Sequence, residues 1–187
     1  MVKPWLPVRS QPGPSFRVFS IRTDTARSPR TGLDHDFFVI ETGDWVNVIP
    51  ITEDQQVVMI EQYRHGSRQV TLEIPGGMVD PGETAERAAS RELFEETGFE
   101  AGRIRQVGVV NPNPAIFNNR CYTFIAENVR KVGTPLPDQT EDIEVLLVPV
   151  ADVPGLIRKG KIDHSMVITA FYWYFSQIPQ PLPFHFR

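Results

Sequence analysis

The chain has 187 residues, 41% hydrophobic and 22% charged, enough apolar material for one compact domain with a real core and an added N-terminal element. A formal net charge of -4 argues against a protein that coats nucleic acid or an anionic membrane, since both need a basic face. The single cysteine, Cys121, excludes an intramolecular disulfide and points to a reducing, cytoplasmic setting. There it reads as a small buried hydrophobe rather than a nucleophile.

The N-terminal MVKPWLPVRSQPGPSF carries prolines and charges where a signal peptide needs an apolar run, and no segment approaches membrane-spanning length. Residues 1–15 are rich in Pro, Gly and Ser and are expected to be extended or loosely packed. FRVFSIRT (16–23) and HDFFVIET (35–42) predict a strand pair around the turn-rich DTARSPRTG. Three closely spaced strands follow, from WVNVIPIT (45–52), QQVVMIEQYR (55–64) and TLEIPGG (71–77). Beyond the next helix, RIRQVGVV (103–110), RCYTFIAENV (120–129) and IEVLLVPV (143–150) predict further strands. One or two helices close the chain in VADVPGLIRKGKIDHSMVITAFYWYF. The terminal run holds Trp173, Phe175, Phe184 and Phe186, for packing on the chain's own domain or for a subunit contact. This order predicts an α+β fold with a mixed sheet between helices.

The helix from about Thr84 to Thr97 carries most of the chemistry. Thr84 or Glu83 can cap its start after the Pro81-Gly82 reversal, and Gly98 can end it in the left-handed conformation. At about 100° per residue, Ala85, Ala89 and Leu93 share one stripe, with Glu92 and Glu96 within it or at its margin and Glu95 at one edge. Two readings stand: a solvated acidic face paired with Arg91, or an oxygen-rich cation site. The shared stripe favours the second. Carboxylates spaced i, i+3 and i+4 repel unless a cation or protons neutralise them, and hard divalent ions such as Mg2+ take such oxygen ligands.

These residues match a family pattern. Gly77, Glu83, Arg91, Glu92, Leu93, Glu95, Glu96, Gly98 and Phe99 reproduce the Nudix box, glycine-x5-Glu-x7-Arg-Glu-apolar-x-Glu-Glu-x-Gly-apolar, without a substitution. The chain thus resembles the Nudix hydrolases. The resemblance implies an α/β/α sandwich and hydrolysis of a nucleoside diphosphate linked to another moiety. It implies Glu92, Glu95 and Glu96, with the Gly76 carbonyl, as metal ligands, Glu95 and Glu96 also serving catalysis. Gly77, Glu83, Arg91 and Gly98 are implied to brace the box. EQYRHG (61–66), LEIPGG (72–77), TEDIEV (140–145), GKIDHSMVI (160–168) and Pro114 are further similar to ADP-ribose and nucleotide-sugar pyrophosphatases. Those enzymes usually read Ser-Pro-Gly around that proline. Here the run is VNPNPAIFNNR, which leaves the sugar or base undecided among ADP-ribose, GDP-mannose and ADP-sugars.

By the same resemblance Glu141 is the candidate general base, against the reading of a solvated loop charge beside Asp142 and Glu144. Arg64 is the candidate phosphate contact, its fork suiting phosphate; a surface salt bridge is the competing role. Asn113, Pro114, Phe117 and Asn118 are candidates for base or sugar contacts, or else a rigid turn. Trp45 is a candidate stacking residue or part of the core. Mg2+ is the expected cofactor, with Mn2+ using the same ligands. The expected division is residues 1–42 as an N-terminal extension, used in a homodimer and at its substrate site, and 43–187 as the hydrolase domain. The expected partners are a nucleotide-sugar substrate and a second subunit. Two other function classes stay open: a Nudix hydrolase of dinucleoside polyphosphates or oxidised nucleotides, and a noncatalytic nucleotide-binding regulator.

Overall fold

The computed structural model describes residues 1–136, 138 and 142–177; Glu141, Phe184 and Phe186 lie outside the described residues. The chain forms two units, Met1–Asp44 together with Asn111–Arg120, and Trp45–Val110 together with the chain from Cys121 onward.

In the first unit, β1 (Leu6–Ser15), β2 (Ser20–Arg27) and β3 (Asp34–Glu41) form an antiparallel sheet in that order. The proline-rich start is extended, as its composition predicts, and in addition hydrogen-bonds to β2 as an edge strand. Pro7, Pro12 and Pro14 are tolerated there because the register shifts between Pro7 and Arg9 and again between Pro12 and Ser15. The strand expected to start at Phe16 starts instead at Ser20. Phe16 N–H donates to the Phe19 carbonyl at 2.8 Å, so these residues make the β1–β2 turn. Arg22 pairs with Asp24 and Glu41, and Arg27 pairs with Asp34 at 2.7 Å. The 111–120 loop is tied to β3, with Ile40 N–H donating to the Ile116 carbonyl at 2.7 Å.

The second unit is built on β4 (Trp45–Ile51), β5 (Gln56–Arg64), β6 (Gln69–Glu73), β7 (Gly76–Met78), α1 (Ala85–Thr97), β8 (Phe99–Glu100), β9 (Arg103–Val110), β10 (Cys121–Glu127), β11 (Arg130–Lys131), β12 (Ile143–Pro149), α2 (Val153–Arg158) and α3 (Ser165–Ser176). Its main sheet runs β12-β5-β4-β10-β9; β4 and β10 are parallel and the other pairs antiparallel, which makes the sheet mixed. Strand alternation sorts the core onto two faces. Val46, Val48, Val58, Phe124 and Ala126 pack with Ala88, Ala89 and Leu93 of α1. Ile49, Ile51, Val57, Met59 and Ile125 pack with Val167, Ala170, Phe171 and Phe175 of α3. This is the expected α/β/α sandwich. Trp173 lies on α3 against Gly108, where a Cβ would sit 2.3 Å from its indole nitrogen, so this glycine permits the close packing of α3 on β9.

One feature of the sheet positions the site. β4 and β5 share a single residue pair, Ile51 with Val57. Beyond it β4 pairs with β7 through Trp45–Asn47, while β5 pairs with β6 through Ile60–Arg64. The two strands therefore fork, and the box glycines enter one prong. No described helix is long and apolar enough to cross a membrane.

Candidate active site

The box helix starts and stops where its sequence dictates. Thr84 Oγ1 accepts from Arg87 N–H at 3.3 Å, and Gly98 takes φ 72°, its N–H donating to the Phe94 carbonyl at 2.7 Å. These caps set the rotation of α1, which points Glu96 inward. Glu96 is 2% exposed, and its Oε2 accepts from Gly76 N–H at 2.9 Å. Glu92 lies against Gly77, where a Cβ would approach its carboxylate to 2.4 Å. That position needs glycine because the backbone passes directly beneath a carboxylate.

Arg91 organises the remaining charges. Its Nε and Nη2 donate to the two oxygens of Glu83 at 3.2 and 3.0 Å, and Nη2 also donates to the Met78 carbonyl. Nη1 bridges Glu92 at 2.8 Å and Glu95 at 3.0 Å. The Glu83 bonds, then those from Glu92 and Glu95, raise the Arg91 pKa against the opposing effect of burial. Bonding to Arg91 correspondingly lowers that of Glu83. The planar fork of arginine makes this arrangement possible; a lysine could not serve three carboxylates and a carbonyl at once.

Among the described residues, no three His, Cys, Asp or Glu side chains stand close enough to form a ready metal-binding group. Arg91 occupies part of the space between Glu92 and Glu95. The donor set still fits a hard cation. It consists of oxygens alone, the carboxylates of one helix and the Gly76 carbonyl, with Gly77 leaving open the space beside Glu92 that a Cβ would fill.

The fork between β4 and β5 holds a cavity of about 320 Å³ that reaches these glycines. Trp45, Asn47, Arg64, Glu73, His164 and Met166 contribute to its walls. Arg64 Nε and Nη2 each donate at 2.8 Å to an oxygen of Glu73, in a fork-to-fork pair. Thr71 Oγ1 donates to the same carboxylate at 2.6 Å. Glu73 is 3% exposed. Burial works to raise its pKa, but the bonds and charge of Arg64 outweigh it and the net shift is downward. The salt-bridge reading of Arg64 thus describes one side of its guanidinium, while the residue also stands in the cavity wall.

Of the sequence candidates, the structure gathers Trp45, Arg64, Gly76 and Gly77 around this cavity, with Glu92, Glu95 and Glu96 on the adjoining box helix. Asn113, Pro114, Phe117 and Asn118 belong to the first unit. There the Asn113 carbonyl accepts from Phe117 N–H at 2.8 Å, and Asn118 Oδ1 accepts from Thr42 N–H at 3.2 Å, so the run forms a hydrogen-bonded turn. Glu141 lies outside the described residues. Sequence reasoning missed Asn47, Glu73, His164 and Met166. The one available signal was a polar Asn47 and an acidic Glu73 inside otherwise apolar strands.

Comparison with known proteins agrees with this fold. The NUDIX domain family model matches residues 42–171. The chain belongs to the NUDIX domain family, the family of the Nudix hydrolases. It is 27% identical to an ADP-ribose pyrophosphatase of Bacillus subtilis, over 73% of this chain and 74% of that protein. It is 32% identical to an ADP-sugar pyrophosphatase of Mus musculus, over 72% of this chain and 66% of the relative. A solved structure described as an ADP compounds hydrolase superposes with a TM-score of 0.82 at 21% identity, covering 93% of this chain and 94% of the other, which establishes the shared fold.

Proposed function

We propose that this Nudix hydrolase cleaves the diphosphate of a nucleoside diphosphate sugar, such as ADP-ribose, an ADP-sugar or GDP-mannose, giving a nucleoside monophosphate and a sugar phosphate. The observation that carries the proposal is the junction at Gly76 and Gly77, where the glutamate-bearing helix meets a cavity walled by Trp45 and Arg64. The relatives named for ADP-ribose and ADP-sugar hydrolysis support the same substrate class.

Glu92, Glu95 and Glu96, with the Gly76 carbonyl, would hold divalent cations, Mg2+ or Mn2+; when bound, the metal supplies charge neutralisation for the diphosphate and acidifies a coordinated water. The protein's own groups do the rest. Arg91 fixes the carboxylates that would otherwise repel one another. Arg64, oriented by Glu73, meets phosphate oxygens from the cavity wall. Glu141 takes the proton of the attacking water as it bonds to phosphorus and the bridging P–O bond breaks. Trp45 stacks the base or sugar, and Asn113, Pro114, Phe117 and Asn118 are the further candidates for contacts to base or sugar. Gly77, Glu83 and Gly98 keep the box in shape.

Residues 1–42 act as an extension to the 43–187 hydrolase domain and join two chains in a homodimer. Supporting this, none of the buried apolar residues described lies in the first unit, whose Leu6, Phe16 and Phe38 are exposed. A concentration-independent monomer by light scattering would defeat the dimer. The single cysteine supports a cytoplasmic setting.

The test is steady-state hydrolysis of ADP-ribose, GDP-mannose, ADP-glucose and a dinucleoside polyphosphate with Mg2+, beside Glu96→Gln. Turnover of nucleotide sugars that drops by about 100-fold or more in the variant is expected. Preference for the dinucleoside polyphosphate, or no turnover at all, would sink the substrate assignment.

A further inference from the structure

One wall of the cavity, beside the box glycines through the Asn47–Gly76 strand pair, is set by one residue's backbone. Met166 N–H, in the first turn of α3, donates to His164 Nδ1 at 3.2 Å. Met166 C=O accepts from Asn47 Nδ2, also at 3.2 Å. These two bonds fix what the side chains present. With Nδ1 accepting, Nε2 is the ring nitrogen of His164 that carries a proton to donate. With Nδ2 donating to a carbonyl, the Asn47 amide cannot flip without setting two oxygens against each other.

Asn47 is 6% exposed and lines the cavity, yet its Oδ1 has no hydrogen-bond partner among the described residues. Buried polar atoms in native proteins are almost always satisfied, and the exceptions call for an explanation. His164 lines the same cavity. The Met166 peptide groups therefore fix two residues of the cavity lining, Asn47 with its acceptor Oδ1 and His164 with its donor Nε2–H.

We propose that Asn47 and His164 together read a vicinal diol of the substrate. Each hydroxyl can both donate and accept, so one of an adjacent pair satisfies Oδ1 while its neighbour accepts from Nε2–H. Trp45 on the same wall offers a flat apolar surface to a sugar ring. The inference rests on the nucleotide-sugar reading, and that substrate class carries diols in two places, the nucleoside ribose and the distal sugar.

Calorimetric binding in EDTA separates this proposal from the hydrolase reading, since no turnover is needed. The probes are ADP-ribose, an analogue lacking the 2-hydroxyl of the distal ribose, and one lacking the 2-hydroxyl of the adenosine ribose. One analogue is expected to bind wild type about tenfold more weakly than ADP-ribose, and which one assigns the diol. In Asn47→Leu, and in His164→Asn, which keeps a capping oxygen for α3 but withdraws the outward N–H, that preference should fall to within about twofold. Equal binding of all three probes by wild type overturns the proposal, as does a preference that survives in both variants or a failure to bind ADP-ribose at all. Failure of the hydrolase reading would look different: tight, diol-dependent binding without turnover when Mg2+ is restored.

Discussion

Replacing Glu73 by Gln tests whether the buried end of the cavity is held by charge. The carboxylate takes both Nε and Nη2 of Arg64 at 2.8 Å and the Thr71 hydroxyl at 2.6 Å. An amide can accept only one of the two guanidinium bonds, and it turns an N–H against the other. Loss of a hydrogen bond to a charged group costs about 1.5–3 kcal/mol. Arg64 is 41% exposed, so water compensates its charge and the larger cost of breaking a fully buried pair does not apply. For a chain of this size each kcal/mol moves Tm by about 2–4 °C, so the variant should melt roughly 3–12 °C lower at pH 7. The pH dependence gives a sharper test. The Glu73 pKa is depressed in the folded protein, so its stabilisation is complete above the ordinary carboxylate value of 4.5 and is lost as pH falls through the folded value. The gap between wild type and Glu73→Gln, measured by urea denaturation, should therefore be constant above about pH 5 and close in acid, where wild type also carries a neutral group. A gap that stays open at low pH, or one below about 0.5 kcal/mol at pH 7, would refute the charge-pair account.

The two box glycines should respond differently to alanine. At Gly76 the new Cβ would lie 2.3 Å from the Val46 carbonyl oxygen, so a strand must move and stability should fall by about 1–3 kcal/mol. At Gly77 it would meet the movable Glu92 carboxylate at 2.4 Å, so stability should change by less than about 1 kcal/mol while activity drops about 10–100-fold from a misplaced ligand. Gly98→Ala combines a φ of 72° with a Cβ 2.3 Å from the Gly133 carbonyl oxygen; denaturation should show a loss above about 2 kcal/mol. Mg2+ should raise Tm of wild type by mass action and that of Glu96→Gln by much less, readable by calorimetry without substrate; equal shifts would remove Glu96 from the ligand set.

The box helix was legible because its signals are short in range. Thr84, Gly98 and the glutamate spacing act within one or two turns of the chain that carries them, and each sits where its local chemistry puts it. The sandwich was legible for a similar reason, since alternation in WVNVIPI and QVVMIEQYR assigns side chains to two faces. The first strand was obscured by its prolines, which suit an edge with shifted register as well as a loose tail. The cavity wall could not be read. Arg64 finds Glu73 only because β5 and β6 pair, and Asn47 finds Met166 only because α3 crosses β4, 119 residues along the chain. A polar residue in an apolar strand announces that something unusual is near it, without saying what.

Two neighbouring parts of the site are held by different physics, and this bears on how such a protein can change its substrate without losing its chemistry. At the box, one guanidinium balances Glu83, Glu92 and Glu95 while Glu96 is buried against Gly76. The box thus carries excess negative charge for a cation or protons to relieve, and a change to any member disturbs the rest. Beside it, Asn47, the cross-strand partner of Gly76, and His164 are anchored to the backbone of one residue, Met166. Substituting Asn47 or His164 alters which groups are offered to a ligand without touching the carboxylates. The cavity thus joins a charge-locked group, in which one substitution disturbs several partners, to a backbone-anchored pair, in which each side chain has its own anchor. Selectivity is therefore expected to shift through the second while the hydrolytic part stays fixed.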